Sequence, residues 1–259
     1  FIIGEETVYS GAGINFFGSD EFILSQFEKK LHSLLCGSEK IDIDFYTAGL
    51  TIDSEKKIKK VFSKYTSVNH IDIFSDMLAA SRALLKFNSG ISCILGTGSN
   101  CAYFDGKINH EITFSTGYLL GDEGSGYDLG KQLLRAYFTN TLPSELKQLF
   151  LDRIQMNRND LLSSIYVAEN PKFYIANFTH FLKENESHPF IGSMIHDSFL
   201  NFLKLNPFQY PDYHQYKFGF TGSIAFVFQH HLDKIMSQLE IDYVVCKRPI
   251  KNLQQYYLD

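Results

Sequence analysis

The sequence predicts an α/β protein built as two lobes with a cleft between them. Three observations support this. Short apolar runs of strand length alternate with amphipathic segments of helix length along the 259 residues. The order of elements before residue 87 is similar to the order after it, without an obvious sequence repeat. Glycine-rich turns follow several of the expected strands, and the carboxyl ends of strands are where α/β proteins place reactive groups.

In the first half, "FIIGEETVYSGAGINFF" reads as the middle of a β-meander, with Phe1–Ile3 a strand already under way and Thr7–Ser10 the next. That mid-strand opening leads us to expect further residues upstream. Ser19 and Asp20 are placed to cap a helix whose Phe22, Ile23, Phe27, Leu31 and Leu34 gather on one face. Residues 41–46 alternate apolar and acidic side chains, as a half-buried strand does. A charged helix over 55–64 turns Ile58, Val61 and Phe62 inward. A short strand over 71–74 and the helix "SDMLAASRALLKF" complete a lobe over residues 1–87, with Ser75 or Asp76 at the helix cap.

The second lobe, residues 88–245, opens with a strand over 91–95, a turn over 96–100 and a returning strand over 101–104. Asp105-Gly106 is a hairpin dipeptide leading to a third strand over 107–114. A helix over "GYDLGKQLLRAYF" follows, then a helical stretch broken at Pro171 and Pro189. A strand over 217–220 meets the turn "TGS" and one helix over "IAFVFQHHLDKIMSQL"; a last strand covers 242–245. Residues 246–259 form a tail expected to return toward the first lobe.

The totals narrow the function classes. A net charge of −5 lacks the basic footprint of a nucleic-acid binder. No apolar run nears the ~18 residues that span a bilayer. Four cysteines without a CxxC pair fit a reducing cytoplasm and buried thiols, although a hairpin could bring Cys93 and Cys101 together. The nine histidines form no ligand pattern. His230 and His231, adjacent on a helix, are expected to point apart, which argues against a shared metal.

Three segments carry chemistry. "GTGSN", Gly96 to Asn100, leads into a strand, so neither a dinucleotide fingerprint nor a Walker loop fits its context. Two readings stay open: an ordinary tight turn, or a nest of backbone N–H groups with the Thr97 and Ser99 hydroxyls holding phosphate oxygens. "GYLLGDEGSGYDLG" sets Asp122 and Glu123 among four glycines ahead of a helix start, with Ser125 and Asp128 spaced as a capping box. Its carboxylates are either part of a capped helix entry or acceptors for ligand hydroxyl groups. Asp76, after a strand, is either a cap or a reactive carboxylate.

Taken in order, "SDMLAASRAL", "CILGTGSNCAYFDGK", "GYLLGDEGSGYDLGKQLL" and "GFTGSIAFVF" resemble the N-acetylglucosamine kinases and BadF/BadG/BcrA/BcrD-type ATPases, of the actin, hexokinase and Hsp70 superfold. The resemblance implies two ribonuclease-H-like lobes, as in actin-like ATPases, closing on ATP, Mg²⁺ and a sugar. It places phosphate at Gly96, Thr97 and Gly98, and the adenosine at Gly222 and Ser223. Sugar contacts fall to Asn15, Ser99, Asn100, Thr116, Gly117 and Asp122, and the general base to Asp76. Phe16 stands where the family often has histidine. The family's first phosphate loop would precede Phe1, so the chain by itself is not expected to turn over. The implied activity is phosphorylation of an amino sugar, N-acetylglucosamine first, by a cytoplasmic enzyme that could be a homodimer. The alternatives are an activator-type ATPase of acyl-CoA dehydratases or reductases, and a non-catalytic sugar-sensing protein.

Overall fold

The computed structural model describes residues 40–259, together with Glu21 and Ser25, which are helical. The expected meander, Asn15, Cys36 and most of the helix after Asp20 lie outside the described residues. The chain divides into two compact units, Phe1–Ala79 with Tyr257–Asp259, and Ala80–Tyr256.

In the first unit, strands β1 (Ile41–Thr47) and β2 (Val68–Ser75) run parallel, joined through helix α1 (Ile52–Phe62). Parallel neighbours need such a crossover. The alternation legible in the sequence seats the helix. Ile41, Ile43 and Phe45 of β1 and Ile71 and Ile73 of β2 pack on Ile58, Val61 and Phe62, while Asp42 and Asp44 stay exposed. Phe62 is 1% exposed, a burial that contributes about 1.5–3 kcal/mol. Thr51 and Ser54 close a reciprocal cap at the start of α1. From the end of the chain, the Tyr257 hydroxyl donates to Asp44 and also meets the Tyr46 hydroxyl.

Helix α2 (Asp76–Leu85) starts directly where β2 ends. The Ser75 hydroxyl accepts from the Leu78 amide at 3.2 Å, so Ser75 supplies the cap.

The second unit is built on a five-stranded sheet in the order β5-β4-β3-β6-β7. Its strands are β3 (Gly90–Leu95), β4 (Ser99–Phe104), β5 (Asn109–His110), β6 (Phe218–Thr221) and β7 (Tyr243–Cys246). Strands β3, β6 and β7 are parallel, and β4 runs against both of its neighbours. Between β5 and β6 the chain crosses through α3 (Gly117–Leu120), α4 (Gly126–Phe138), α5 (Ser144–Ile154), α6 (Arg158–Val167), α7 (Pro171–Ala176), α8 (Thr179–Glu184) and α9 (Pro189–Leu205). After β6 come α10 (Ser223–Val227) and α11 (Gln229–Gln238), and after β7 comes α12 (Pro249–Leu258). Among the described residues no helix is long and apolar enough to cross a membrane.

Ile91, Cys93 and Leu95 of β3 and Phe218 and Phe220 of β6 share one core with Leu129 and Leu133 of α4 and Phe199 and Phe202 of α9. Gly130 permits the closest helix contact. A Cβ there would lie 2.0 Å from the Ile175 carbonyl oxygen, so only glycine lets α7 rest on α4. Cys93 and Cys101 stand directly opposite each other on β3 and β4 as free, buried thiols, and burial pushes the Cys101 thiol up to about 12.

Several expectations are corrected. The third strand of the second lobe does not extend over 107–114; it is the two residues Asn109 and His110. The Asp105 carboxylate takes the Lys107 and Ile108 amides, and the Ile112 amide donates to the Tyr210 hydroxyl, so the chain leaves the ladder at both ends. The single helix expected after "TGS" is two helices with Phe228 between them. The Ser125–Asp128 capping box forms only in one direction. Ser125 Oγ accepts from the Asp128 amide at 3.2 Å, whereas the Asp128 carboxylate accepts from Ser198 Oγ at 2.7 Å and Gln132 Nε2 at 2.9 Å. His230 and His231 do not point apart. Both side chains reach the same oxygen of Glu186, and their ring centroids are 4.1 Å apart.

Candidate functional site

The bend between β3 and β4 is three residues, Gly96 to Gly98, closed by a bond from the Gly96 amide to the Gly98 carbonyl at 2.9 Å. The start of α4 holds it from behind. The Gly126 amide donates to the Gly96 carbonyl at 2.8 Å, and the Tyr127 amide to the Thr97 carbonyl at 3.1 Å. A trans peptide directs its N–H opposite to its C=O. The Thr97 and Gly98 amides, which belong to those same two peptides, are therefore aimed away from α4. Neither makes a hydrogen bond among the described residues. Two neighbouring amides presented in this way form an anion-binding concavity.

Asp122 sits beside this bend at 6% exposure. Its Oδ1 accepts from the Ser99 amide at 3.1 Å. Its Oδ2 has one partner among the described residues, the Lys172 ammonium 2.8 Å away, an ion pair not aligned as a hydrogen bond. A Cβ on Gly98 would fall 2.5 Å from Lys172 Nζ and 2.8 Å from Asp122 Oδ2, which locates the pair against the bend. The backbone of Asp122 is left-handed, with φ at 64°, a conformation that Asp and Asn tolerate better than other side chains. Asp122→Ala is expected to lose about 2 kcal/mol from the loss of the Ser99 bond and the backbone strain. Asp122→Asn, which keeps an acceptor for the Ser99 amide and tolerates the left-handed backbone, is expected to recover most of that loss; urea denaturation midpoints of the two variants check it.

Gly222, between β6 and α10, closes the cluster from the neighbouring strand. It has φ 108° and ψ 161°, a region essentially confined to glycine. A Cβ on it would meet the Leu95 carbonyl oxygen at 2.2 Å and the Gly96 nitrogen at 3.0 Å.

The structure thus gathers Gly96, Thr97, Gly98, Ser99, Asp122 and Gly222. Ser223 follows as the first residue of α10. Asn100 adjoins Ser99, but its Oδ1 accepts from the Cys101 amide at 2.9 Å. Thr116, exposed, and Gly117 begin α3, which the Gly121 amide ties off on the Gly117 carbonyl at 2.9 Å, one residue before Asp122. Asp76 belongs to the first unit, part-buried at the carboxyl end of a parallel strand. Asn15 is outside the described residues.

Lys172 was not expected from the sequence. It lies 50 residues beyond Asp122, on a helix recognisable only by its Asn170 cap and Pro171 start. It reaches the bend because α7 packs on Gly130. No local signal marks it, since its relevance comes entirely from that packing.

No protein-family model matches the chain. A curated relative, the N-acetylmuramic acid/N-acetylglucosamine kinase of Clostridium acetobutylicum, is 28% identical over 139 residues, 51% of this chain and 45% of that protein. The match therefore spans less than half of that relative's length. A solved structure from Porphyromonas gingivalis, assigned as an N-acetylglucosamine kinase, superposes with a TM-score of 0.86 and 29% identity, over 96% of this chain and 88% of that one. The chain is a structural relative of the N-acetylglucosamine kinases. A second such structure, from Chromobacterium violaceum, shares the fold with a TM-score of 0.67 and 15% identity, over 91% of this chain and 83% of that one. The α/β, actin-like ATPase fold expected from the sequence is the fold observed.

Proposed function

We propose that the protein is an ATP-dependent kinase that phosphorylates an amino sugar, N-acetylglucosamine foremost. One observation carries the reading: the Thr97 and Gly98 amides project together from a bend that also holds the buried carboxylate of Asp122. The likeness to an assigned N-acetylglucosamine kinase over 96% of the chain supports the substrate class.

In this reading the bend Gly96–Thr97–Gly98 receives the ATP phosphates, through the outward amides of Thr97 and Gly98. Gly222 and Ser223 line the adenosine, where a side chain on residue 222 has no room. Asp122 accepts hydrogen bonds from sugar hydroxyl groups, assisted by Ser99, Asn100, Thr116, Gly117 and the Asn15 amide. Asp76 takes the proton from the accepting hydroxyl as its oxygen bonds to the γ-phosphorus and the bond to ADP breaks. Mg²⁺, when bound with ATP, neutralises phosphate charge; the described residues assign it no ligand. Phosphoryl transfer asks a protein mainly for positioning and charge stabilisation, which a rigid bend pinned by α4 supplies.

The test is ADP release by the full-length protein over a panel of hexoses and amino sugars. Release that depends on sugar, with the highest kcat/KM for N-acetylglucosamine or its N-acetylmuramic acid derivative, is expected. Sugar-independent or absent ADP release across the panel would overturn the assignment.

A further inference from the structure

Away from the candidate kinase site, three ligand-type side chains converge. Glu186 lies just past the end of α8, and His230 and His231 lie in the first turn of α11. Lys183 Nζ occupies Glu186 Oε2 at 2.7 Å. The other carboxylate oxygen, Oε1, faces His230 Nε2 at 3.2 Å and His231 Nε2 at 3.4 Å, and the three atoms lie within 4.8 Å of one another.

Neither contact is aligned as a hydrogen bond, although both atoms are within reach of one. A charge-assisted N–H···O bond closes to about 2.7–2.9 Å, as the Lys183 pair does. Glu186 Oε1 and His231 Nε2 are both buried, and neither makes any hydrogen bond. Each unsatisfied buried group of this kind costs about 1–3 kcal/mol. The two Glu186–histidine separations do suit a shared cation. Two ligands of a tetrahedral ion with bonds of about 2.0–2.1 Å stand about 3.3–3.4 Å apart. One ion would satisfy both orphaned atoms.

We propose that Glu186 Oε1, His230 Nε2 and His231 Nε2 form a binding site for a zinc-type divalent transition-metal ion. Two imidazoles and one carboxylate are a donor set of that class, with a fourth position left for water or a further ligand. The open side gives onto a cleft lined also by His188, His196 and Asp197. The ion would cross-link the segment after α8 to α11. The site stands independently of the sugar-kinase reading.

The experiment uses the purified full-length protein, stripped with a chelator, dialysed and titrated with Zn²⁺ alone in a calorimeter. The variants His230→Gln and Glu186→Gln are titrated in parallel, and metal-free melting curves confirm that each folds. His230 is half-exposed, so its substitution leaves the core intact. One zinc per chain is expected, with a higher Tm in its presence. Each variant is expected to bind at least about tenfold more weakly, since loss of even an outer partner of a ligand costs about 10–100-fold. Co²⁺ in place of zinc is expected to give the visible absorption of a four-coordinate site. Substoichiometric zinc, or binding equally tight in both variants, would refute the site.

Discussion

Asp76→Asn is expected to lower kcat for sugar phosphorylation by about 10²–10⁴-fold, the usual worth of a positioned general base, while sugar affinity changes little. The substitution leaves the helix cap in place. Ser75, not Asp76, caps α2, so the helix keeps its cap bond. Asparagine has nearly the shape of aspartate and loses only the charge and the ability to take a proton. The lost charge at the helix start costs about 0.3–1 kcal/mol through the helix dipole, and a melting curve checks that the variant folds. Steady-state kinetics on the full-length protein measure kcat, and calorimetry on the same preparation measures sugar binding. Turnover at the wild-type rate would remove Asp76 from the reaction.

Gly222→Ala is expected to produce the largest loss of stability and of nucleotide affinity together. The new methyl would lie 2.2 Å from the Leu95 carbonyl oxygen and 2.6 Å from its carbon, so backbone must move. Strain at φ 108° costs about 1–3 kcal/mol, and overpacking adds about 1–3 kcal/mol. With about 2–4 °C lost per kcal/mol in a chain of this size, Tm should fall by roughly 10 °C. The atoms displaced are the last residue of β3 and the first of the glycine bend, so under the proposed function nucleotide binding weakens with the same change. Calorimetric melting and nucleotide titration read both effects. A variant with wild-type Tm and nucleotide affinity would show that β6 does not press on the bend.

Much of the fold was legible because its signals are local. The alternation over residues 41–46 and the inward positions Ile58, Val61 and Phe62 follow from strand and helix periodicities, and the structure packs them together. The bend at Gly96–Gly98 and the capped start of α4 at Ser125 follow from turn and cap chemistry. The errors arose where a distant partner intervened. The strand expected over 107–114 ends at His110, where Tyr210, a hundred residues on, bonds the carbonyl of His110 and the amide of Ile112. The two histidines of α11 converge on Glu186, a residue more than forty positions earlier, which helical spacing alone does not reveal.

The same division holds for the candidate site. By itself the sequence determined the glycine bend, the carboxylates near it and their likeness to one kinase group, since residue type and short-range spacing encode these. Only the tertiary structure decided which groups meet. It turned two amides outward by binding their carbonyls to α4, and it set Lys172 against Asp122 through the contact at Gly130. It also brought Glu186 to His230 and His231. The physical reason is the range of the forces: backbone conformation is chosen over a few residues, whereas packing and charge pairing depend on neighbours that the chain supplies from far along its length.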